Sequence, residues 1–267
     1  MVTAKSMPLD APLYQIDPER GVEYWNCRLV AAAFVVDGDV ADLVPQGLHL
    51  ASASPLGLVM VADYGMSTLG PYREFVSFLQ VVDDGSGELG MYIPSIYVTN
   101  DAALAAGREV LGAPKKLAEI SLVADQEVVT ATLARPAGTT LARLAVSPAE
   151  RLQPEVLDAL LPSGTPFFSL RHLPAPPGGT TVTELVRWTT ATAVHTDAFG
   201  DALQFTGPAS LTFPAASAAD PVHRIGVGTL LGAIYLELDL RITAGRVVRS
   251  ETRTEPVGEP PAGPTRP

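Results

Sequence analysis

The sequence has little cysteine, few basic residues and no long hydrophobic run. Cys27 is the single cysteine among 267 residues, which excludes an intrachain disulfide and a zinc site built on several cysteines. Lys and Arg number 18 against 29 Asp and Glu, so the formal net charge is −11. A nucleic-acid partner requires a basic face that neutralises phosphates. We therefore expect no nucleic-acid partner.

Membrane and metal signals are also missing. The longest apolar run, Leu29–Val36, is far shorter than the ~20 residues that a membrane-spanning helix needs. The first ten residues, MVTAKSMPLD, lack the apolar core of a secretory signal. We therefore expect a cytoplasmic protein that binds no membrane. No metal site is expected, because the four histidines do not follow the spacing typical of metal ligands: His49, His172, His195 and His223.

What the chain does contain is a large number of turn formers and strand patterns. Gly and Pro number 23 and 24, which breaks long helices and favours short strands. The apolar segment Trp25–Val36 predicts a buried strand, and alternation over Lys116–Ser147 predicts an antiparallel meander. Short helices are predicted over residues 102–111 and Pro154–Leu161. The pattern indicates an α+β fold, a β-rich single domain with antiparallel sheets curled into a barrel or cone.

Composition also divides the chain into three parts. Residues 1–20 are predicted to form an N-terminal arm and residues 21–250 the folded domain. Residues 251–267 are rich in proline and contain almost nothing apolar, which predicts a disordered tail.

The distribution of lysine is the strongest chemical signal. Lysine occurs only at Lys5, Lys115 and Lys116, and a lysine amine can form an imine with a carbonyl whereas a guanidinium cannot. The stretch LGAPKKLAEIS places the pair between a predicted helix and a predicted strand. Adjacent side chains of an extended segment point to opposite faces, so one amine can enter the interior. Burial and a second positive charge both disfavour the ammonium, which leaves the free amine that a nucleophile requires. A solvated surface pair is the alternative interpretation.

The sequence resembles the acetoacetate decarboxylase superfamily, in which a lysine pair of this kind is a known arrangement. The similarity runs in order over most of residues 25–245 and is carried by VVDGDVADLVPQGLHL, GPYREF, YVTNDAALAAGREVLGAPKKLAE and FTGPASLTFPAASAADPVHRI.

This resemblance implies a role for each matching residue. Lys115 corresponds to the Schiff-base lysine and Lys116 to its neighbour. Glu74, in GPYREF, corresponds to one of two active-site glutamates, and Arg28, in NCRLV, to an arginine near the pocket that would hold a carboxylate. Tyr235 corresponds to a late-strand tyrosine of aldolase-type members and is a candidate substrate-binding residue, with core packing as its alternative role.

The sequence departs from the family pattern at Val59, where we align the second glutamate. A second glutamate beside the substrate would destabilise the substrate carboxylate and so promote the loss of CO2. Its absence therefore weakens decarboxylation. We expect acetoacetate to form an imine but to lose CO2 poorly. The natural reaction would then use a different, bulkier 3-oxo acid or follow an aldol-type course.

Together, these features predict a cofactor-free Schiff-base lyase that decarboxylates a small 3-oxo acid and assembles as a homo-oligomer. Two alternatives remain open. One is an aldolase-dehydratase or cyclase that acts on a pyruvate-like oxo acid through the same lysine. The other is a non-catalytic small-molecule-binding protein that keeps the fold without the chemistry.

Overall fold

The computed structural model describes residues 3–125, 127–153, 155, 162 and 164–256. This part of the chain is mainly β-strand, with one α-helix and a few short helical turns. The elements up to the helix are β1 (Ala4–Lys5), β2 (Gln15–Ile16), β3 (Val22–Asp37), β4 (Leu48–Leu50), β5 (Leu56–Ser67), β6 (Tyr72–Asp83), β7 (Leu89–Val98) and α1 (Asp101–Ala106). A π-helical turn, Gly107–Leu111, follows α1, and two 3-10 turns cover Ala41–Leu43 and Val222–Arg224.

The strands after the helix are β8 (Lys115–Leu117), β9 (Glu119–Ala124), β10 (Val129–Ala134), β11 (Thr140–Val146), β12 (Glu150–Arg151), β13 (Phe167–Leu173), β14 (Thr180–Trp188), β15 (Thr190–Val194), β16 (Gln204–Thr206), β17 (Ala209–Thr212), β18 (Gly226–Ile242) and β19 (Arg246–Thr254).

One large sheet organises the molecule. Its strand order is β12-β16-β18-β3-β5-β6-β7-β13-β14-β19, with β15 paired to β18, β4 to β6 and β8 to β7. Pairing is antiparallel except where β7 meets β13 and β8. A second sheet has the order β17-β11-β10-β9. The predicted β-rich fold is confirmed, and the path of the large sheet stays open, since its end strands β12 and β19 do not pair with each other in the described residues.

The two faces of the large sheet have different partners. One face, which we call the sandwich face, packs its apolar side chains against the four-stranded sheet in a single core that includes Val59, Phe75, Tyr97, Ile120 and Leu144. The opposite face, which we call the cavity face, curls around an internal cavity lined by residues of β3, β5, β6, β7, β13, β14, β15 and β18. Since side chains alternate along a strand, each residue of these strands faces one environment or the other.

The predicted helix after β7 is confirmed, together with its ends. Asn100 caps α1 by accepting a hydrogen bond from the backbone N–H of Ala103 at 2.9 Å. The π-helical turn that follows ends at Gly112, whose φ of +73° is the left-handed conformation that glycine adopts without strain. The helical segment therefore delivers the chain directly into β8, which begins at Lys115.

The predicted boundaries of the domain need correction. Strand β19 extends to Thr254 and pairs with β14, so the prediction that a disordered tail begins at residue 251 was wrong. Residues 257–267, and all of the predicted helix Pro154–Leu161 except Glu155, lie outside the described residues. Within the N-terminal arm, Tyr14 and Ile16 are buried in the core of the cavity face. Among the described residues, no helix has the length and hydrophobicity needed to cross a membrane.

Candidate active site

A buried ion pair joins Lys115 to Glu74 on the cavity face. The Lys115 Nζ lies 2.8 Å from Glu74 Oε2, and each side chain is only 6% exposed. Strand β7 lies between their strands: Glu74 of β6 is opposite Val98, and Lys115 of β8 is opposite Ile96. Because Ile96 and Val98 are two residues apart, both charged side chains project from the same face. The fold thus brings together two of the residues predicted from the sequence.

Three tyrosines surround the Glu74 carboxylate. Tyr64 Oη donates to Glu74 Oε1 at 3.1 Å, and Tyr72 Oη lies 3.5 Å from Oε2 and 3.2 Å from Tyr24 Oη. Burial, followed by the charge of Glu74, raises the pKa of all three phenols well above the ordinary tyrosine value. The phenols therefore stay protonated and act as donors. The Tyr72 ring also lies beneath Lys115, with Nζ 5.5 Å from the ring centroid.

None of these three tyrosines was predicted from the sequence to lie at the site. Tyr72 could have been found, because it precedes Glu74 by two residues in GPYREF and so shares its face of the strand. Tyr24 and Tyr64 come from β3 and β5, and no local motif connects them to Glu74.

The GRE segment shapes the position of Lys115. A Cβ added at Gly107 would lie 2.5 Å from Lys115 Cδ and 2.6 Å from Cε, so the lysine stem crosses directly over the glycine backbone. Arg108 Nη1 donates to the carbonyl of Lys115 at 3.2 Å. Glu109 accepts a hydrogen bond of 2.7 Å from Tyr14 Oη, which ties the turn to the N-terminal arm. The glycine therefore makes room for the lysine, and the two charged neighbours anchor the turn.

Two adjoining cavities meet at the ion pair. The larger has a volume of about 200 Å³ and the smaller about 100 Å³; Glu74 lines both, and Lys115 lines the smaller. Their walls are otherwise mainly aliphatic and aromatic, with four threonines, and in the described residues Glu74 and Lys115 are the only Asp, Glu, Lys, Arg or His on the lining. A molecule that enters this space therefore meets one amine and one carboxylate in apolar surroundings.

Lys116 points to the sandwich face, away from this pair. Its Nζ lies 3.0 Å from Asp220 Oδ1, which also accepts from Arg135 Nε at 3.0 Å, and Tyr97 Oη lies 3.4 Å from the same oxygen. The alternation of Lys115 and Lys116 between faces is confirmed. The two ammonium groups thus lie on opposite faces of the sheet, and the Lys116 ammonium pairs with Asp220.

The structure does not bring Arg28 or Tyr235 to Lys115. Arg28 Nη2 is 2.6 Å from Asp63 Oδ2, and its side chain is 43% exposed. Tyr235 packs in the core of the sandwich face and donates to Glu237 Oε1 at 2.8 Å. Neither residue lines either cavity. Both residues lie on the face of the sheet opposite Lys115, which contradicts the predictions that they bind a substrate there.

Val59 also lies on the sandwich face, fully buried in its core. Its neighbour Met60 lines the larger cavity instead, and Ala62 is the residue of β5 opposite Glu74. The alignment of the second glutamate with Val59 was therefore wrong, while the expectation that acetoacetate loses CO2 poorly stays a prediction, since Glu74 is the only acidic residue on the lining within the described residues. The strand register turns this position away from the cavity.

Comparison with known proteins decides the family. The sequence model described as Acetoacetate decarboxylase (ADC) matches residues 6–252. The chain belongs to the acetoacetate decarboxylase family. This match begins inside the predicted N-terminal arm, so most of that arm belongs to the family domain.

Individual relatives agree with this membership. The chain is 32% identical over 251 residues to acetoacetate decarboxylase of Streptomyces nogalater, covering 93% of this chain and 96% of that protein. It is 29% identical over 248 residues to acetoacetate decarboxylase 1 of Bradyrhizobium diazoefficiens, covering 92% of both chains. A solved structure from structural studies of acetoacetate decarboxylase superposes with a TM-score of 0.79 at 22% identity, over 92% of this chain and 95% of that one. That superposition shows a shared fold.

Proposed function

We propose that this protein is a Schiff-base lyase that decarboxylates a 3-oxo acid through Lys115. The observation that carries the proposal is the buried Lys115–Glu74 pair at the junction of two apolar cavities. Membership of the acetoacetate decarboxylase family and the named relatives support the same reaction.

The first stage joins the substrate to Lys115. Glu74, which accepts a hydrogen bond from Nζ, takes a proton from the ammonium and leaves a neutral amine. The amine attacks the keto carbon, and the carbinolamine loses water when Glu74 returns the proton. The product is a protonated imine, so proton and charge balance across the step. Tyr64 and Tyr72 hold the Glu74 carboxylate in place throughout.

The second stage breaks the carbon–carbon bond. The electron pair of the bond to the carboxylate flows into the protonated imine, which yields CO2 and a neutral enamine. The enamine carbon then takes up a proton, which Glu74 obtains from solvent and delivers. Water hydrolyses the resulting imine, which frees a ketone and restores Lys115. The net reaction consumes one proton and releases CO2.

The lining of the site favours decarboxylation over an aldol reaction of a pyruvate-like acid. An aldol product keeps its carboxylate, and in the described residues no cation besides Lys115 lines either cavity. An unpaired carboxylate in apolar surroundings is strongly destabilised, and the nearby Glu74 charge adds repulsion. Loss of CO2 removes that charge, so these surroundings assist decarboxylation and oppose retention of the acid.

Borohydride trapping tests the proposal. The protein is incubated with acetoacetate and sodium borohydride, and the reduced adduct is located by mass spectrometry while CO2 release is measured without borohydride. We expect the adduct on Lys115, with no adduct and no CO2 release in Lys115→Arg. Lys116→Arg is the matched control, because an arginine can still pair with Asp220. An adduct on Lys5 or Lys116, or undiminished CO2 release in Lys115→Arg, would contradict the proposal. Binding of oxo acids with neither adduct nor CO2 would favour the non-catalytic alternative.

A further inference from the structure

The larger cavity offers far more space than the substituent of acetoacetate can fill. Its volume is about 200 Å³. An engineered protein cavity of ~150 Å³ takes up benzene, so a cavity of this size accommodates about eight carbon atoms. Acetoacetate has a single methyl group beyond its keto carbon. The excess volume therefore indicates a substrate with a larger substituent.

The walls of the larger cavity define the chemistry of that substituent. They include Met60, Val76, Phe78, Phe167 and Trp188, and in the described residues Glu74 is the only charged group among them. Thr165, Thr190, Thr192 and Tyr64 also contribute to the lining, but their hydroxyl groups carry no charge, so a charged substituent would lose its hydration without gaining a cation as partner. An aliphatic or aryl chain would instead bury its surface against these side chains.

The two cavities are arranged so that one substrate can occupy both. Glu74, Ile93, Ile96 and Trp188 contribute to both linings, while Lys115 lines only the smaller cavity. We infer that the smaller cavity holds the keto carbon at Lys115 and that the larger one takes the apolar tail of a medium-chain 3-oxo acid, with about six to eight carbons beyond the keto carbon. This inference rests on the proposed decarboxylation, and its product would be a medium-chain methyl ketone.

A series of 3-oxo acids of increasing length tests the inference. CO2 release is measured for 3-oxobutanoate, 3-oxohexanoate, 3-oxooctanoate, 3-oxodecanoate and 3-oxotetradecanoate. Each buried methylene is expected to raise kcat/KM about threefold to fourfold. The increase should continue to 3-oxodecanoate and stop before 3-oxotetradecanoate, whose tail exceeds the cavity. A kcat/KM that is highest for 3-oxobutanoate, or independent of length, would overturn the inference.

Gly232 provides a variant that reduces the volume of the larger cavity without disturbing its walls. It lies on the lining, and a Cβ built there meets no other heavy atom within 4 Å. In Gly232→Leu, the ratio of kcat/KM for 3-oxodecanoate to that for 3-oxobutanoate should fall at least tenfold. Gly232→Ala adds one carbon and should lower this ratio only about threefold. An unchanged ratio in Gly232→Leu would show that the tail does not occupy this cavity.

A binding measurement separates failure of the inference from failure of the proposed function. The concentration of ketone that gives half-maximal borohydride trapping is determined for acetone and for 2-nonanone. A lower concentration for 2-nonanone without CO2 release from any 3-oxo acid would keep the tail assignment and contradict decarboxylation. Efficient CO2 release from 3-oxobutanoate with equal trapping of both ketones would keep decarboxylation and contradict the tail assignment.

Discussion

Replacement of Gly107 by alanine should displace the tip of Lys115 while leaving the stability of the folded protein nearly unchanged. The new Cβ would lie 2.5 Å from Lys115 Cδ, whereas nonbonded carbon atoms rest at about 3.5 Å, so the lysine tip must withdraw by about 1 Å. The tip of a flexible side chain can move at small cost. Gly107 also has helical dihedral angles, φ −61° and ψ −46°, at which alanine is favoured over glycine by up to ~1 kcal/mol. We therefore expect the free energy of unfolding to change by less than about 1 kcal/mol.

The catalytic effect of the same substitution should be large. A displacement of about 1 Å from the productive geometry costs ~100-fold in rate, or about 2.7 kcal/mol of transition-state stabilisation. The assay measures kcat for CO2 release and the rate of borohydride trapping, alongside urea unfolding. Gly85→Ala is the control, because its Cβ would make only ordinary contacts, at 3.7 Å or more, in the turn after β6. A Gly107→Ala protein that keeps kcat within twofold of wild type would refute the reasoning.

Three further predictions concern neighbouring features. Gly112→Ala should lower the free energy of unfolding in urea by about 2 to 4 kcal/mol, because the φ of Gly112 is +73° and the new Cβ would lie 2.4 Å from the backbone nitrogen of Arg171. A decrease below about 1 kcal/mol would contradict this. Tyr64→Phe removes a donor to the buried Glu74 carboxylate and should cost ~1.5 to 3 kcal/mol of stability and lower kcat; unchanged unfolding would show that the hydrogen bond contributes nothing. Burial raises the pKa of the Cys27 thiol to about 12. Iodoacetamide at pH 8 should therefore alkylate the folded protein about 1000-fold more slowly than the unfolded chain, and comparable rates would disprove the raised pKa.

Local structure around the lysines was predictable because short-range interactions determine it. The cap at Asn100, the alanine-rich helix and the stop at Gly112 all follow from side-chain chemistry within a few residues. The rarity of lysine singles out Lys115 and Lys116 in the sequence. The opposite orientations of Lys115 and Lys116 follow from the alternation of side chains along a strand.

Alternation does not determine which face of a strand meets a cavity and which meets a second sheet. That choice placed Arg28, Val59 and Tyr235 on the sandwich face, where their predicted contacts with a substrate at Lys115 are lost. Bulges between β3 and β18 shift the register along the pair, so counting residues from one strand to the next does not reveal the face.

The sequence by itself determined most of the long strands, the helix with its caps, the family and the candidate nucleophile, since each depends on local pattern or on motifs read in order. Only the tertiary structure decided the surroundings of that nucleophile. Glu74, 41 residues earlier, became its partner because β6 and β8 lie on either side of β7. Gly107 is needed because the lysine stem crosses its backbone. The two cavities arise from the curl of the whole sheet, a property of long-range strand pairing that no single segment contains.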